Sequence, residues 1–234
     1  MSASPQPYHH GHLREAAIEA AVAEVERVGA AGVSMRAIAR RAGVTHAALA
    51  YQFGDKSGLF TAVATEGFRL AAAAIGPAAT GPEGFLNGGI TYVTFALTHP
   101  GHYEVMFRPD LYSGNDPNLI EARNAAFTIL YGSARTSLSE PPANDITGVV
   151  VAGWSMSHGL ATLWRTGNLH GRIGDDPTQL ARQIAEGIIR LGELASRHLD
   201  TLNEPRTTAA EDRQSARGCV PTAPPPSNQA QGCS

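Results

Sequence analysis

Residues 34–53, SMRAIARRAGVTHAALAYQF, hold two short helix-forming runs separated by one glycine, and this restricts the first third of the chain to a tight helical hairpin. Ser34 is a good N-cap because its hydroxyl can accept an amide of the first turn. Met35, Ile38 and Ala39 then recur on one face while Arg36, Arg40 and Arg41 point elsewhere. That helix is predicted from Met35 to Ala42 and ends at Gly43. Thr45 caps the next, which runs to about Gln52 with Ala48 and Leu49 available for packing. Upstream, Ile18, Val22 and Val25 mark a helix from Leu13 to Val28 that Gly29 stops. Downstream, Asp55 caps a longer helix carrying Leu59, Phe60, Val63 and Phe68, predicted to break at GPAATGP, residues 76–82. Three short helices with a glycine turn between the second and third describe a helix-turn-helix, whose last helix lies in a DNA major groove; a generic helical hairpin would show much of the same apolar pattern, and the polar details, the basic face of the second helix with Thr45, His46 and Lys56, favour the former.

Charge is consistent with that use. The whole chain carries a formal net charge of −3, which excludes a wholly basic nucleic-acid coat protein. Between residues 27 and 56 the balance reverses: Arg27, Arg36, Arg40, Arg41 and Lys56 face a single acid, Asp55. A polyanion touching only this region would be attracted. A solvated helix face would show the same charges.

The remainder is also helical in pattern, so we predict an all-α fold of about nine helices. The later ones lie near 83–98, 102–107, 117–138, 145–166 and 177–200. Asp116-Pro117 and Asp176-Pro177 mark two starts, each an N-cap acid before a proline at the first helical position. We expect a flexible arm over 1–12, a helix-turn-helix domain over 13–58, a helical body over 59–202 and a disordered tail over 203–234. The tail's proline-rich PTAPPPSNQAQG offers too little apolar area to offset chain entropy. His9, His10 and His12 lie in the arm without a scaffold, and Cys219 and Cys233 lie in the tail, so no metal site, cofactor or disulfide framework is expected. No apolar run reaches signal-peptide or bilayer-spanning length, so the expected location is the cytoplasm, with no membrane partner.

The stretch GVSMRAIARRAGVTHAALAYQFGDKSGLF resembles the TetR family of transcriptional regulators over about residues 13–68. The likeness rests on Gly32, Ser34, Ile38, Ala39, Ala42, Gly43 and Val44, then Phe53, Lys56 and Leu59. It implies that Thr45, His46 and Ala47 read base edges of double-stranded operator DNA and that Ser34, Tyr51, Gln52 and Lys56 meet phosphate. Arg36 would reach a phosphate or a base edge. Ser34 and Thr45 would cap their helices as well. Family members usually place a tyrosine and a histidine where this chain has Ala50 and Gln52, with Tyr51 shifted by one.

The second half resembles the C-terminal domain type of that family marked by Trp-x-x-x-His-Gly, here Trp154, His158 and Gly159. Four residues apart on a helix, Trp154 and His158 share a face. Phe95, Tyr103, Met106, Phe107, Phe127, Trp154, His158 and Trp164 would line a pocket for an unknown small-molecule effector, and would equally serve as core. The resemblance also implies a homodimer on a palindromic site, built from the last two long helices. These carry Gly148, Ala152, Gly153 and Gly159, then Ala181, Ala185, Gly187 and Ala195, beside Leu180, Ile184, Ile188 and Leu191. A monomer burying that stripe internally would look the same. The nearest approach to a nucleophile elbow, GWSMS at 153–157, lacks the second glycine and reads as mid-helix, and His99, His102 and Glu104 read as a turn between helices, so no catalytic residue is expected. The function predicted is a ligand-responsive repressor; the alternative is a helical small-molecule binding protein or enzyme with a vestigial DNA-binding head.

Overall fold

The computed structural model describes residues 10–138, 146–169 and 176–203. Among them are nine α-helices, one 3-10 turn and no strand. The helices are α1 (His10–Gly32), α2 (Met35–Arg41), α3 (His46–Phe53), α4 (Lys56–Ala78), α5 (Gly84–Thr98), α6 (Pro100–Met106), α7 (Pro117–Ser137), α8 (Thr147–Arg165) and α9 (Pro177–Asn203), with the 3-10 turn at Pro109–Leu111. His9, most of the expected arm, and the tail beyond Asn203 with both cysteines lie outside the described residues. The chain divides into two units. The first ends at Ile189. The second begins at Arg190 and, among the described residues, is the rest of α9, on which Leu191 and Leu194 are exposed.

Local signals account for the first four helices. Ser34 Oγ accepts the Ala37 amide at 3.2 Å, Thr45 Oγ1 accepts that of Ala48 at 3.1 Å, and Asp55 Oδ1 accepts that of Gly58 at 2.9 Å. Gly29 bends α1 with φ +72°, and Gly43 turns the chain between α2 and α3 with φ +68°, a region that glycine enters without a Cβ penalty. α4 ends inside its predicted break over 76–82, whereas α6 begins before its predicted start. α4 takes in Gly76 and Pro77 and ends at Ala78: the residue before the proline has no Cβ to clash with its ring, and the helix stops one residue after the proline removes an amide from the ladder. α6 starts at Pro100, so His102 is not in a turn but buried on a helix, 3.2 Å from Glu66.

One core runs through head and body. Ile18 and Val25 of α1, Ile38 of α2 and Leu49 of α3 close on Leu59, Phe60 and Val63 of α4, and the same cluster continues to Val105, Met106 and Leu119. α4 is long and apolar enough to pass for a membrane span, but its Leu59, Phe60, Val63 and Phe68 are spent in this core. α6 packs against both α1 and α4 at glycines. A Cβ on Gly101 would lie 2.8 Å from Val22 Cγ1, and one on Gly67 would lie 2.6 Å from Met106 Sδ.

Candidate nucleic-acid interface and effector cavity

α3 divides its side chains cleanly. Leu49 is buried without exposure, while Thr45, His46 and Ala47 at its start are exposed and Tyr51 is 88% exposed. Ala47 and Tyr51, four residues apart, share the outward face. Ser34 and Arg36 are exposed at the start of α2, and Gln52 is half-buried. Ser34, Arg36, Thr45, His46, Ala47 and Tyr51 are thus exposed on α2, α3 and their caps, while Lys56 stands at the start of α4.

The cations nearby divide into two groups. Glu24 of α1 is buried at 4% exposure and accepts hydrogen bonds from Arg27 at 2.7 and 3.2 Å and from Arg41 at 2.6 Å. The hydrogen bonds from these two guanidiniums outweigh burial and hold its carboxyl down to about 2. Arg27 and Arg41 thus brace the head, whereas Arg36 and Arg40 are exposed and have no carboxylate partner among the described residues. Lys56, which the family resemblance offers to phosphate, donates to the Ala30 and Ala31 carbonyls at 3.0 and 3.4 Å, and its charge lies 5.2 Å from the centre of the Phe60 ring. It ties the carbonyl end of α1, where a cation is favoured, to the start of α4. Partial burial lowers its pKa.

In the body, α4, α5, α7, α8 and the first part of α9 enclose a cavity of about 560 Å³. Its walls are Phe68 and Ile75 of α4, Phe85, Ile90 and Tyr92 of α5, Ala126, Phe127 and Leu130 of α7, Trp154 of α8, and Ile184 and Ile188 of α9, with Met106, Phe107 and Tyr112 beside α6. The size is in the range of sites for drug-sized ligands, roughly 300–1,000 Å³. Of the eight residues predicted to line a pocket, Met106, Phe107, Phe127 and Trp154 do so. Phe95 is instead buried and stacked on His99 at 4.7 Å, and Trp164 is off the wall. Ile184 and Ile188, grouped in the sequence with a dimer face, turn inward here, and Gly153 is pressed against Phe85, where a Cβ would lie 2.6 Å from the ring. Tyr92 and Arg123 escaped sequence reasoning, although Arg123, Ala126, Phe127, Leu130 and Ser133 form a helical stripe that was legible in principle.

His158 and Tyr103 stand one layer behind the wall. Both tyrosine hydroxyls, of Tyr92 and Tyr103, lie 2.8 Å from His158 Nδ1. A neutral imidazole with its proton on Nε2 has one acceptor lone pair there. The arrangement is satisfied when Tyr92 donates to Nδ1 and accepts from Trp154 Nε1 at 3.4 Å, while Tyr103 donates to the His158 carbonyl at 3.3 Å. Burial lowers the His158 pKa and raises those of both tyrosines, so all three are kept neutral. The Trp-x-x-x-His spacing thereby acquires a physical meaning: both side chains meet on Tyr92.

From this network a continuous path leads to the head. The Arg165 guanidinium sits 5.3 Å from the centre of the Tyr103 ring, donates to the Pro100 carbonyl and lies 3.5 Å from Glu104 Oε2. Glu104 Oε1 accepts the Ala30 amide at 2.7 Å, and Glu26 of α1 accepts the Gly101 amide at 3.3 Å. Ala30 is also the residue whose carbonyl receives Lys56.

With this geometry established, comparison with known proteins adds two family matches. Residues 17–63 match bacterial regulatory proteins of the tetR family, and residues 85–188 match the tetracyclin repressor-like C-terminal domain. The chain is similar to a solved protein of unknown function from Rhodococcus sp. RHA1, at 28% identity over 80% of this chain and 98% of that one, with a TM-score of 0.65. It shares its fold with a TetR family transcription regulator from Marinobacter aquaeolei VT8, at 20% identity over 75% and 94% of the two chains and a TM-score of 0.57. A tetR-family transcriptional regulator from Streptomyces coelicolor is alike at 22% identity, 89% and 97% coverage and a TM-score of 0.58. No curated protein sequence matches the chain.

Proposed function

The chain belongs to the TetR family of DNA-binding transcriptional regulators, and on that premise we propose that it is a repressor that binds a palindromic operator as a homodimer and lets go when a small molecule fills the cavity. The observation that carries this reading is α3, whose buried Leu49 fixes the helix while Thr45, His46, Ala47 and Tyr51 face outward at its two ends. In such a helix the first residues reach base edges and neighbouring polar groups hold phosphates. A dimer is supported by α8. Gly148, Val151, Ala152, Ser155, Thr162 and Leu163 are exposed at helical spacing with no charge among them, and Val151 and Leu163 are 46% and 47% exposed. Two copies of α3 related by a two-fold axis would then meet two half-sites.

Release is supported by the path from Tyr92 through His158, Tyr103, Arg165 and Glu104 to Ala30. A ligand need only favour one arrangement of these contacts over another to shift the head. The deciding measurement is a fluorescence-anisotropy titration of the full chain with its own upstream DNA and with random duplex of equal length, at several salt concentrations. At least a hundred-fold preference for the upstream DNA at physiological salt is expected. Equal affinity for both duplexes at every salt would overturn the reading.

A further inference from the structure

The polar groups on the cavity wall are almost all committed within the protein. The Ser133 hydroxyl donates to the Leu130 carbonyl and that of Ser157 to the Gly153 carbonyl, each at 3.0 Å. Tyr112 donates to the Met106 carbonyl at 2.9 Å, and Tyr92 and Trp154 are joined to each other in the His158 network. Amides within the helices are spent on their own helices, and that of Phe85, in the first turn of α5, donates to Ser137 Oγ at 3.0 Å. The hydroxyls retain acceptor lone pairs, but these side chains have no proton to offer an incoming molecule.

Arg123 is the exception. It is the one charged residue among those lining the cavity, and it has no carboxylate partner within ion-pairing distance among the described residues. The nearby acid Asp110 is held by Arg108 in two hydrogen bonds of 2.8 and 3.0 Å. Arg123 begins the α7 stripe that continues through Ala126, Phe127 and Leu130 to Ser133, a run of roughly 15 Å at the helical rise. At one end of the wall there is thus a half-buried arginine; beyond it the stripe is apolar until a serine whose proton is already used.

We infer that the effector is a hydrophobic carboxylate, its anionic head paired with Arg123 and its apolar body laid along α7 toward Phe127, Leu130 and Trp154. This rests on reading the cavity as the effector site. A planar carboxylate matches the guanidinium's paired donors, and a pairing with charge on both sides gains more than a neutral hydrogen bond. A cationic amphiphile would meet Arg123 with no lining acid to offset the repulsion. A neutral molecule of the same shape would gain the apolar contact and only the weaker hydrogen bond of an uncharged acceptor.

The test uses three probes with one tail: decanoate, decan-1-ol and decylammonium, each below its aggregation concentration, titrated into the full chain and followed by tryptophan fluorescence, since Trp154 lines the cavity. Decanoate is expected to bind at least ten-fold more tightly than decan-1-ol, and decylammonium more weakly than either. In Arg123→Gln the preference for decanoate over the alcohol should fall to within about two-fold through a loss of decanoate binding that exceeds any loss for the alcohol, and an unchanged helical circular-dichroism signal and melting temperature show that the variant is folded. Arg123→Lys keeps the charge and should keep most of the preference. The inference is overturned if the alcohol or the amine binds as well as decanoate, if none of the three binds, or if the Gln and Lys variants behave alike. Operator binding of the unliganded chain is measured in parallel. Its absence would remove the regulatory reading and leave the ligand preference standing, whereas intact operator binding without a carboxylate preference would remove only this inference.

Discussion

The carboxylate of Glu104 accepts the backbone amide of Ala30 at 2.7 Å across 74 positions of sequence, and Arg165 approaches its other oxygen at 3.5 Å. One side chain on α6 therefore joins the end of α1 in the head to the end of α8 in the body. Glu104→Ala leaves the Ala30 amide without this acceptor and should lower stability by about 1 kcal/mol, read as a shift in the urea midpoint at unchanged slope. It should also blunt effector-induced release while leaving unliganded operator affinity within a few-fold of the parent. Glu104→Gln, which keeps an acceptor oxygen, should lie between. Unchanged release in the Ala variant would remove Glu104 from the path.

On the DNA side, Tyr51 is almost wholly exposed, so Tyr51→Ala should leave the melting temperature unaltered while weakening operator binding several-fold. His46→Ala should change which half-site sequences are preferred. Arg36→Ala should act differently, reducing the steepness of the salt dependence by close to one phosphate's share, a slope change of about 0.9 if Arg36 neutralises one phosphate. Anisotropy titrations over a salt series and a panel of half-sites separate these outcomes.

Glu24 sets an acid limit on the head. Its carboxyl titrates at about 2 in the folded chain against 4.5 unperturbed, so the folded state binds its proton less readily than the unfolded state. The stabilisation from Arg27 and Arg41 is complete above pH 4.5 and is lost as the pH falls toward 2. Urea midpoints measured between pH 6 and pH 2 should fall with acid in the parent, and this part of the fall should be missing in Glu24→Gln. Parallel curves for the two proteins would contradict the assignment.

For His158, burial favours the neutral ring, and its Nδ1 accepts from a tyrosine. Nitrogen-detected NMR should find the proton on Nε2 and a titration below the ordinary 6.5. Because the folded pKa is depressed, the associated stability is present above pH 6.5 and is lost as the pH falls through the folded value. Removing both hydroxyls, in Tyr92→Phe with Tyr103→Phe, frees the lone pair and should move the titration back upward.

The uncharged outer face of α8 gives a further outcome. Leu163→Arg and Val151→Glu each place a charge on a surface proposed to meet its own copy, and either should shift the chain toward monomer in light scattering at micromolar concentration. Operator affinity should drop with the dimer. A parent chain that is already monomeric at that concentration would refute this use of α8.

What the sequence by itself determined is local. Ser34, Thr45 and Asp55 cap helices through amides three residues away, and Gly29 and Gly43 turn the chain where they stand, so the succession of short helices could be read before any fold was known. The tertiary structure decided everything that depends on how helices are rotated against one another. An apolar stripe shows that a face is buried, but not whether it meets a neighbour or a void. That is why Met106 and Phe127 line the cavity while Phe95 fills the core, and why Ile184 and Ile188 face inward. Likewise the sequence shows that Lys56 and Arg41 are cations, but not that the Ala30 carbonyl and Glu24 lie beside them, because a charge's partner is set by proximity in space, which no local period encodes.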